Sequence, residues 1–129
     1  VAAIKLGVAD ELHLGNLEAV RDWGYAPEYV EGMWRMLQHD VPQDYVLATG
    51  KGHSVRQFCE AAFAHAGLDW EDFVVYDKQF ERPTEVDALI GDATKAREVL
   101  GWEAKTDAMD LARLMVEADL EQMARLIGK

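Results

Sequence analysis

Short extended segments alternate with amphipathic helical segments along the chain, and this alternation limits the fold more than any other feature. Each extended segment has the polar–apolar alternation or the short apolar run of a strand, and turn residues follow several of them. Strands that alternate with helices predict a mixed α/β fold. The 129 residues have the size of one domain, so we predict a single small α/β domain over residues 1–129. The predicted strands are residues 11–14, 20–23, 44–48 and 73–76.

Helices are predicted from capping residues and from apolar periodicity. Pro27 suits the first position of one helix, and Ser54 with Gln57 forms a capping box at the next. Asp92 is the predicted N-cap of a short helix, and Thr106 is the predicted N-cap of a long final helix. Methionines and tryptophans at helical spacing are predicted to be core residues. The apolar stripes of the three longer helices are Val30, Met33, Trp34 and Leu37; Val55, Phe58, Cys59, Ala62 and Phe63; and Leu111, Leu114, Met115 and Ala118.

Composition excludes several classes of function. The net charge of −11 argues against general nucleic-acid binding, because neutralising phosphates needs a basic surface. No apolar run approaches the roughly 20 residues of a membrane helix. Cys59 is the single cysteine, which rules out an internal disulfide and fits a reducing cytoplasm.

The first residues have a helical pattern of their own. Val1 to Gly7 resemble the last turns of a helix that is closed by a C-cap glycine. A chain that begins within a helix is expected to have been cut from a longer protein.

A search for catalytic groups finds no complete apparatus in the sequence. The four histidines lie apart, without the spacing of metal ligands, and Cys59 falls on the apolar stripe of its helix. The loop from Gly50 to His53 precedes a helix but lacks the phosphate-loop pattern, so we interpret it as a loop and cap. No Gly-x-Gly-x-x-Gly follows a strand. We therefore predict no catalytic residue, no metal site and no cofactor site in this chain.

The stretch from Arg82 to Asp87 carries the clearest binding signal. It follows a predicted strand, and Pro83 restricts the backbone on both sides of itself. Arg82 offers a planar cation for phosphate, and Glu85 offers an acceptor for hydroxyl groups. The alternative is a surface loop with a local ion pair. Arg21 also stands beside a strand end, and strand ends of a small α/β domain converge on one rim.

Several stretches together resemble the GDP-mannose 4,6-dehydratases, a family of extended short-chain dehydrogenases/reductases. The most specific pair is Arg-Asp-Trp-Gly at residues 21–24 and Arg-Pro-Thr-Glu-Val-Asp at residues 82–87. Glu28 departs from the family pattern, which usually has Asp there. The stretches, which cover nearly the whole chain in order, are Leu14-Gly15-Asn16-Leu17, Arg21-Asp22-Trp23-Gly24, Tyr29-Val30-Glu31-Gly32-Met33-Trp34, Ala48-Thr49-Gly50, His53-Ser54-Val55-Arg56, Arg82-Pro83-Thr84-Glu85-Val86-Asp87, Lys95-Ala96-Arg97 and Leu100-Gly101-Trp102.

The resemblance implies the C-terminal, substrate-binding lobe of such a lyase, with the Rossmann half absent. It implies that Arg21 and Arg82 hold the diphosphate of GDP-mannose and that Glu85 accepts hydrogen bonds from the ribose hydroxyls. The family's NADP fingerprint and catalytic residues would lie before Val1. The resemblance also implies a cytoplasmic homo-oligomer that acts in GDP-fucose formation and uses NADP in the full-length enzyme. The 129-residue chain alone is expected to bind no NADP and to be inactive.

Two other readings of the sequence stay open. The chain is also compatible with the same lobe of another nucleotide-sugar dehydratase, epimerase or reductase, which would share the arginine pair. A stand-alone nucleotide-binding or structural module belongs to a different class of function.

Overall fold

The computed structural model describes residues 1–82, 84 and 86–128. Single 3₁₀ turns lie at Trp70–Asp72 and Lys78–Phe80. The helices are Ala2–Lys5 (α1), Ala26–Leu37 (α2), Val55–His65 (α3), Thr94–Leu100 (α4) and Ala108–Ile127 (α5), and the strands are Leu12–Leu14 (β1), Val20–Arg21 (β2), His53–Ser54 (β3), Val74–Tyr76 (β4) and Ala88–Leu89 (β5).

The strands form two small sheets. β1 and β4 pair in parallel, with Leu12 opposite Val74 and Leu14 opposite Tyr76. β2 is the centre of the second sheet, antiparallel to β3 and parallel to β5. Parallel and antiparallel pairs together with five helices make a mixed α/β fold, as the sequence predicted.

The main core lies where α3 packs against α5. Ala62, Ala66, Ala112 and Val116 form its buried cluster, and small side chains of this kind allow two helices to approach closely. α3 buries Cys59, Ala62 and Phe63, so the prediction for that helix is confirmed at these positions.

The predicted face of α5 is only partly right. Leu111 is buried and Leu114 is half-buried, but Met115 and Ala118 are exposed. The helix instead buries Ala108, Leu111, Ala112 and Val116. The prediction chose the larger apolar residues, whereas close contact with α3 places alanines at the interface.

The predicted stripe of α2 is wrong as a core face. Val30, Met33, Trp34 and Leu37 are all exposed. The helix buries its opposite side at Gly32, where an added Cβ would lie 2.7 Å from Leu47 Cδ1 and 3.0 Å from Trp102 Nε1. Periodicity shows which residues share a face, but it does not show which face the rest of the chain covers.

Residues 44–48 do not form the predicted strand. Within the described residues, no backbone hydrogen bond joins this segment to another one. Strand structure requires a ladder of such bonds, and this segment has no ladder partner there.

Most predicted helix ends are confirmed, with two shifts. The capping box of Ser54 and Gln57 is formed, and Gly101 ends α4 in the left-handed conformation at φ 62°. Asp107 rather than Thr106 caps α5, and its side chain accepts from the Met109 N–H. Ala93 rather than Asp92 is the N-cap of α4, although the Asp92 side chain accepts from the Thr94 N–H.

Candidate functional site

A cavity of about 370 Å³ lies between the end of β1, the strand β2 and the segment before β5. Leu14, Gly15, Trp23 and Phe80 are among its lining residues, and so are Arg21 and Arg82. The two predicted arginines are 61 positions apart in the chain, and the structure brings them to one cavity. Glu85, the third predicted residue, lies outside the described residues.

Arg21 is half-buried and anchored by backbone carbonyls. Its Nη1 donates to the Val20 carbonyl at 2.7 Å and to the Val86 carbonyl at 2.7 Å. Because β2 pairs with β5, Arg21 lies beside the chain segment that follows Arg82. The guanidinium therefore has a fixed position at the cavity wall.

Arg82 is exposed and follows the 3₁₀ turn that ends at Phe80. The neighbouring Glu81 carboxylate accepts from the Tyr76 hydroxyl at 2.5 Å. In the part of the chain that the structure describes, no ion pair joins Arg82 to Glu81. An ion pair with Glu81, which would have made Arg82 a simple surface residue, is therefore not formed.

The cavity floor depends on a close backbone contact. A Cβ on Gly15 would lie 2.6 Å from the Phe80 carbonyl oxygen and 2.8 Å from its carbon. Only glycine allows the end of β1 to approach the 80–82 segment this closely. Trp23 closes another side and packs on Phe58 with ring centroids 4.9 Å apart.

His13 also lines the cavity and lies between two carboxylates. Its Nε2 is 2.7 Å from Glu11 Oε1, and its Nδ1 is 3.1 Å from Asp77 Oδ2. The hydrogen bonds to Glu11 and then to Asp77 raise the pKa of His13. The imidazolium form joins β1 to the turn that carries Phe80.

Asp22 is a site residue to which the sequence analysis gave no role. One of its oxygens accepts from the Thr49 N–H at 2.9 Å and from the Thr49 hydroxyl at 2.6 Å. The other accepts from the Gly50 N–H at 2.9 Å and the Gly91 N–H at 3.2 Å. Burial acts to raise the pKa of Asp22, but the hydrogen bonds from Thr49, Gly91 and Gly50 outweigh burial and lower it. In the sequence, the position of Asp22 next to Arg21 was the signal that could have indicated its role.

Glu28 plays a similar connecting part away from the cavity. Its carboxylate accepts from the Lys105 N–H at 3.0 Å and from the Thr106 hydroxyl at 2.8 Å. Its backbone carbonyl accepts from the Trp102 indole N–H at 2.7 Å. Burial again acts to raise the pKa of Glu28, and the bonds from Thr106 and Lys105 lower it overall. The residue that departs from the family pattern therefore joins α2 to the segment before α5.

The loop from Gly50 to His53 is not built to hold the phosphates of a cofactor. The Gly50 N–H is taken by Asp22, and the Lys51 N–H is taken by the Thr49 hydroxyl oxygen at 3.1 Å. At the start of α3 the N–H groups of Val55, Arg56 and Gln57 donate to Ala19, Leu17 and Ser54. These internal bonds leave no set of amides directed at an anion, and the residues do not fit a dinucleotide.

A second cavity, of about 460 Å³, is larger than the one with the predicted arginines. Lys51, Asp92, Arg97 and Glu103 line it, so cations and carboxylates are mixed there. Its two cations stand beside two carboxylates, which weakens any field for an anionic ligand. We place the candidate site in the smaller cavity because it brings two arginines together.

The described residues show no grouping of three or more acidic, histidine or cysteine side chains that would bind a metal ion. None of the helices in that part of the chain is both long enough and apolar enough to cross a bilayer.

Comparison with solved structures identifies the fold. A structure titled as RMD from Pseudomonas aeruginosa complexed with NADPH superposes with a TM-score of 0.81 at 20% identity, over 94% of this chain and 40% of that one. UDP-glucose 4-epimerase from Thermotoga maritima, solved with UDP-glucose, gives a TM-score of 0.78 at 28% identity, over 95% of this chain and 38% of that one. The class is therefore a mixed α/β lobe of the extended short-chain dehydrogenases/reductases, of which this chain covers about 40%.

Sequence comparison narrows this class to a family. The family model described as GDP-mannose 4,6 dehydratase matches residues 1–115. GDP-mannose 4,6 dehydratase 1 of Arabidopsis thaliana is 51% identical over 122 residues, which are 95% of this chain and 34% of that protein. The human GDP-mannose 4,6 dehydratase is 46% identical over 140 residues, covering 95% of this chain and 38% of that protein. The chain belongs to the GDP-mannose 4,6 dehydratase family. It spans between 34% and 38% of the length of these two relatives.

Proposed function

We propose that this chain is the C-terminal, substrate-binding part of a GDP-mannose 4,6-dehydratase. It would bind the GDP part of GDP-mannose for conversion to GDP-4-keto-6-deoxy-mannose. The observation that carries the proposal is the meeting of Arg21 and Arg82 at one cavity in a chain of this family.

Two guanidinium groups match the chemistry of a diphosphate. Each offers a planar set of N–H donors, and hydrogen bonds to charged groups contribute about 1.5–3 kcal/mol. A net charge of −11 opposes an anionic ligand at long range, so the attraction must come from cations at the site. Arg82 is exposed, so its side chain can adjust to a bound phosphate. Arg21 is held by backbone carbonyls, so it would contact a phosphate from a fixed position. In this proposal Glu85 accepts from the ribose hydroxyls.

The chemical step belongs to another part of the whole enzyme in this proposal. NADP is the cofactor proposed for the full-length protein, where it would supply hydride chemistry. The amides of the loop from Gly50 to His53 and of the start of α3 are engaged in internal bonds, and in this proposal the chain binds and orients the sugar nucleotide instead. The isolated chain is therefore proposed to be inactive.

Two surface features support the proposal that another segment packs against this chain in the full-length protein. The exposed apolar stripe of α2 (Val30, Met33, Trp34 and Leu37) leaves a large apolar face in water. Residues 44–48, which have the short apolar run of a strand, lack a ladder partner within the described residues. We propose that the Rossmann half covers these features in the full-length protein. In its absence the stripe favours association between copies of the chain.

Calorimetric titration of GDP into the chain tests the site. Loss of one charge-assisted contact of about 1.5–3 kcal/mol corresponds to about 10- to 150-fold weaker binding. We expect Arg21→Ala and Arg82→Ala to fall in this range, and Arg82→Lys to weaken binding clearly because lysine lacks the planar two-point contact. Arg97→Ala is the matched control, since Arg97 lines the second cavity. Equal affinities for GDP in all these variants would exclude the arginine pair as the binding site.

Titration with UDP separates this family from the related lobes. UDP-glucose 4-epimerase is among the structural neighbours, and its lobe would also be expected to hold a diphosphate. We expect GDP to bind more tightly than UDP. A preference for UDP would support the same lobe of another nucleotide-sugar enzyme instead.

An activity assay tests whether this chain needs the rest of the enzyme for the chemical step. The purified chain with NADP and GDP-mannose is expected to give no product. A chimera in which this chain replaces the matching segment of the Arabidopsis relative, 51% identical over 122 residues, is expected to form the 4-keto sugar. Turnover by the chain alone would contradict the proposal, and nucleotide binding with an inactive chimera would favour a stand-alone binding module.

A further inference from the structure

The carboxylate of Asp22 connects three separate parts of the chain beside the candidate site. It accepts from Thr49 and Gly50, which precede β3, and from Gly91, which follows β5. Asp22 itself directly follows β2. Four donor groups on two oxygens therefore fix the end of β2 against the 49–50 loop and the end of β5.

Arg21 holds the same two strands on the other side. Its Nη1 bonds to the carbonyl of Val86, two residues before β5 begins. Gly91, bonded to Asp22, lies two residues after β5 ends. The two adjacent side chains therefore bracket β5 and set where the chain that follows Arg82 runs relative to Arg21.

We propose that Asp22 is a positioning residue for nucleotide binding, which holds Arg21 and the segment after Arg82 in the geometry that grips a diphosphate. This inference rests on the proposed function of the arginine pair. Asp22 does not line the arginine cavity. In this proposal it affects nucleotide binding through its neighbour, Arg21.

Asparagine is an informative replacement because it keeps the size of the side chain. Its amide group has one acceptor oxygen, and its NH₂ group would face N–H donors. Whichever way the amide turns, it must place NH₂ against either the Thr49 donors or the N–H groups of Gly50 and Gly91. At least one backbone N–H loses its acceptor, because a backbone N–H cannot accept from NH₂, whereas the Thr49 hydroxyl can. The connection between the end of β2, the 49–50 loop and the end of β5 is therefore weakened.

Glu28 provides a matched control for loss of stability. Like Asp22, it is a carboxylate that accepts from backbone N–H groups and a threonine hydroxyl, but its partners are Lys105 and Thr106. It joins α2 to the segment before α5 and does not line the arginine cavity. Glu28→Gln should therefore lower the melting temperature without changing the affinity for GDP.

The test measures GDP affinity by calorimetry and melting temperature for the chain and its variants. We expect Asp22→Asn to weaken GDP binding about tenfold or more, and Glu28→Gln to leave it within about twofold. In an Arg21→Ala background, Asp22→Asn should cause a clearly smaller further loss, because one of the two groups that it positions is already gone. The ¹⁵N signals of the Arg21 guanidinium should shift in Asp22→Asn and stay in place in Glu28→Gln.

Different experimental results would overturn the proposed function and the positioning role of Asp22. If the unaltered chain does not bind GDP, both the proposed function and this inference fail. If it binds and Asp22→Asn binds equally well, or if its loss adds fully to that of Arg21→Ala, only the positioning role of Asp22 is overturned. Should Asp22→Asn not fold, Thr49→Val removes the hydroxyl that donates to Asp22, together with the acceptor of the Lys51 N–H, and the same non-additivity with Arg21→Ala decides the question.

Discussion

Trp102 and Trp34 offer a paired test of how this fold is held together. The Trp102 side chain is 2% exposed, donates its indole N–H to the Glu28 carbonyl at 2.7 Å, and meets the edge of Tyr29 at 5.4 Å. Trp34 is 60% exposed on the outer face of α2. Helical periodicity predicts Trp34 to be a core residue, whereas the structure buries Trp102 and exposes Trp34. Replacing each by phenylalanine tests which of the two tryptophans supports the fold.

The magnitude for Trp102→Phe follows from two losses. Removing the indole N–H leaves the Glu28 carbonyl without this donor, which costs about 0.5–1.5 kcal/mol. The smaller ring leaves a cavity against α2, with a cost of about 1–2 kcal/mol, well below the 3–5 kcal/mol of complete truncation to alanine. The sum is about 1.5–3.5 kcal/mol. Trp34→Phe changes an exposed side chain, and we expect a change within about 0.5 kcal/mol.

Urea unfolding followed by far-ultraviolet circular dichroism measures both variants. The protein should be dilute enough to sediment as a monomer, so that association through α2 does not stabilise Trp34. For a chain of 129 residues, about 1 kcal/mol corresponds to about 4 °C in melting temperature, so Trp102→Phe should melt about 6–14 °C lower. Equal destabilisation by the two replacements, or none for Trp102→Phe, would contradict the packing described for α2.

Other consequences of the structure are open to direct measurement. Gly15→Ala should lower the melting temperature and weaken GDP binding, because its Cβ would lie 2.6 Å from the Phe80 carbonyl oxygen; unchanged values would refute the close contact. The raised pKa of His13 means that its ion pairs stabilise the fold fully below the unfolded-state pKa of about 6.5, and that this contribution is lost as pH rises through the folded-state pKa. His13→Gln should therefore lower the urea midpoint at about pH 5.5 and have little effect at about pH 9, and a pH-independent difference would contradict this. Leu37→Lys should reduce self-association in sedimentation more than Leu126→Lys, since Leu37 belongs to the α2 stripe; equal effects would place the contact elsewhere.

Local signals in the sequence predicted local structure well. The capping box of Ser54 and Gln57 and the left-handed Gly101 are formed because each depends on neighbours within a few residues. Pro27 also lies in the first turn of α2, as expected from its fixed φ. Each of these motifs satisfies backbone groups of its own helix.

The faces of helices could not be predicted in the same way, because they depend on what lies opposite. Trp34 and Leu37 share an apolar face, yet α2 packs through Gly32 against Trp102 and Leu47. Residues 44–48 have a strand pattern without a ladder partner in the described chain. In our proposal both surfaces are covered by another segment of the full-length protein, and neither strand pattern nor helix periodicity gives information on what lies opposite.

In the candidate site, some residues could be predicted from the sequence and others depend on distant partners. Arg21 and Arg82 were predicted from residue type and strand-end position, and they do reach one cavity. Asp22 was missed because an aspartate in a chain with 24 acidic residues looks like solvated surface. Its hydrogen-bond partners are 27 to 69 positions away, at distances that no local pattern encodes.

Negative charge therefore has two separate effects in this protein. Solvated carboxylates give the chain its net charge of −11, and salt weakens their repulsion of an anionic ligand beyond about 8–10 Å without removing it. Asp22 is adjacent to Arg21 in sequence, but its carboxylate already accepts hydrogen bonds from four donor groups. A carboxylate saturated in this way competes less for the neighbouring guanidinium than a free one would. In our proposal, the residue that holds the loops in place therefore competes little with an anionic ligand for the Arg21 guanidinium.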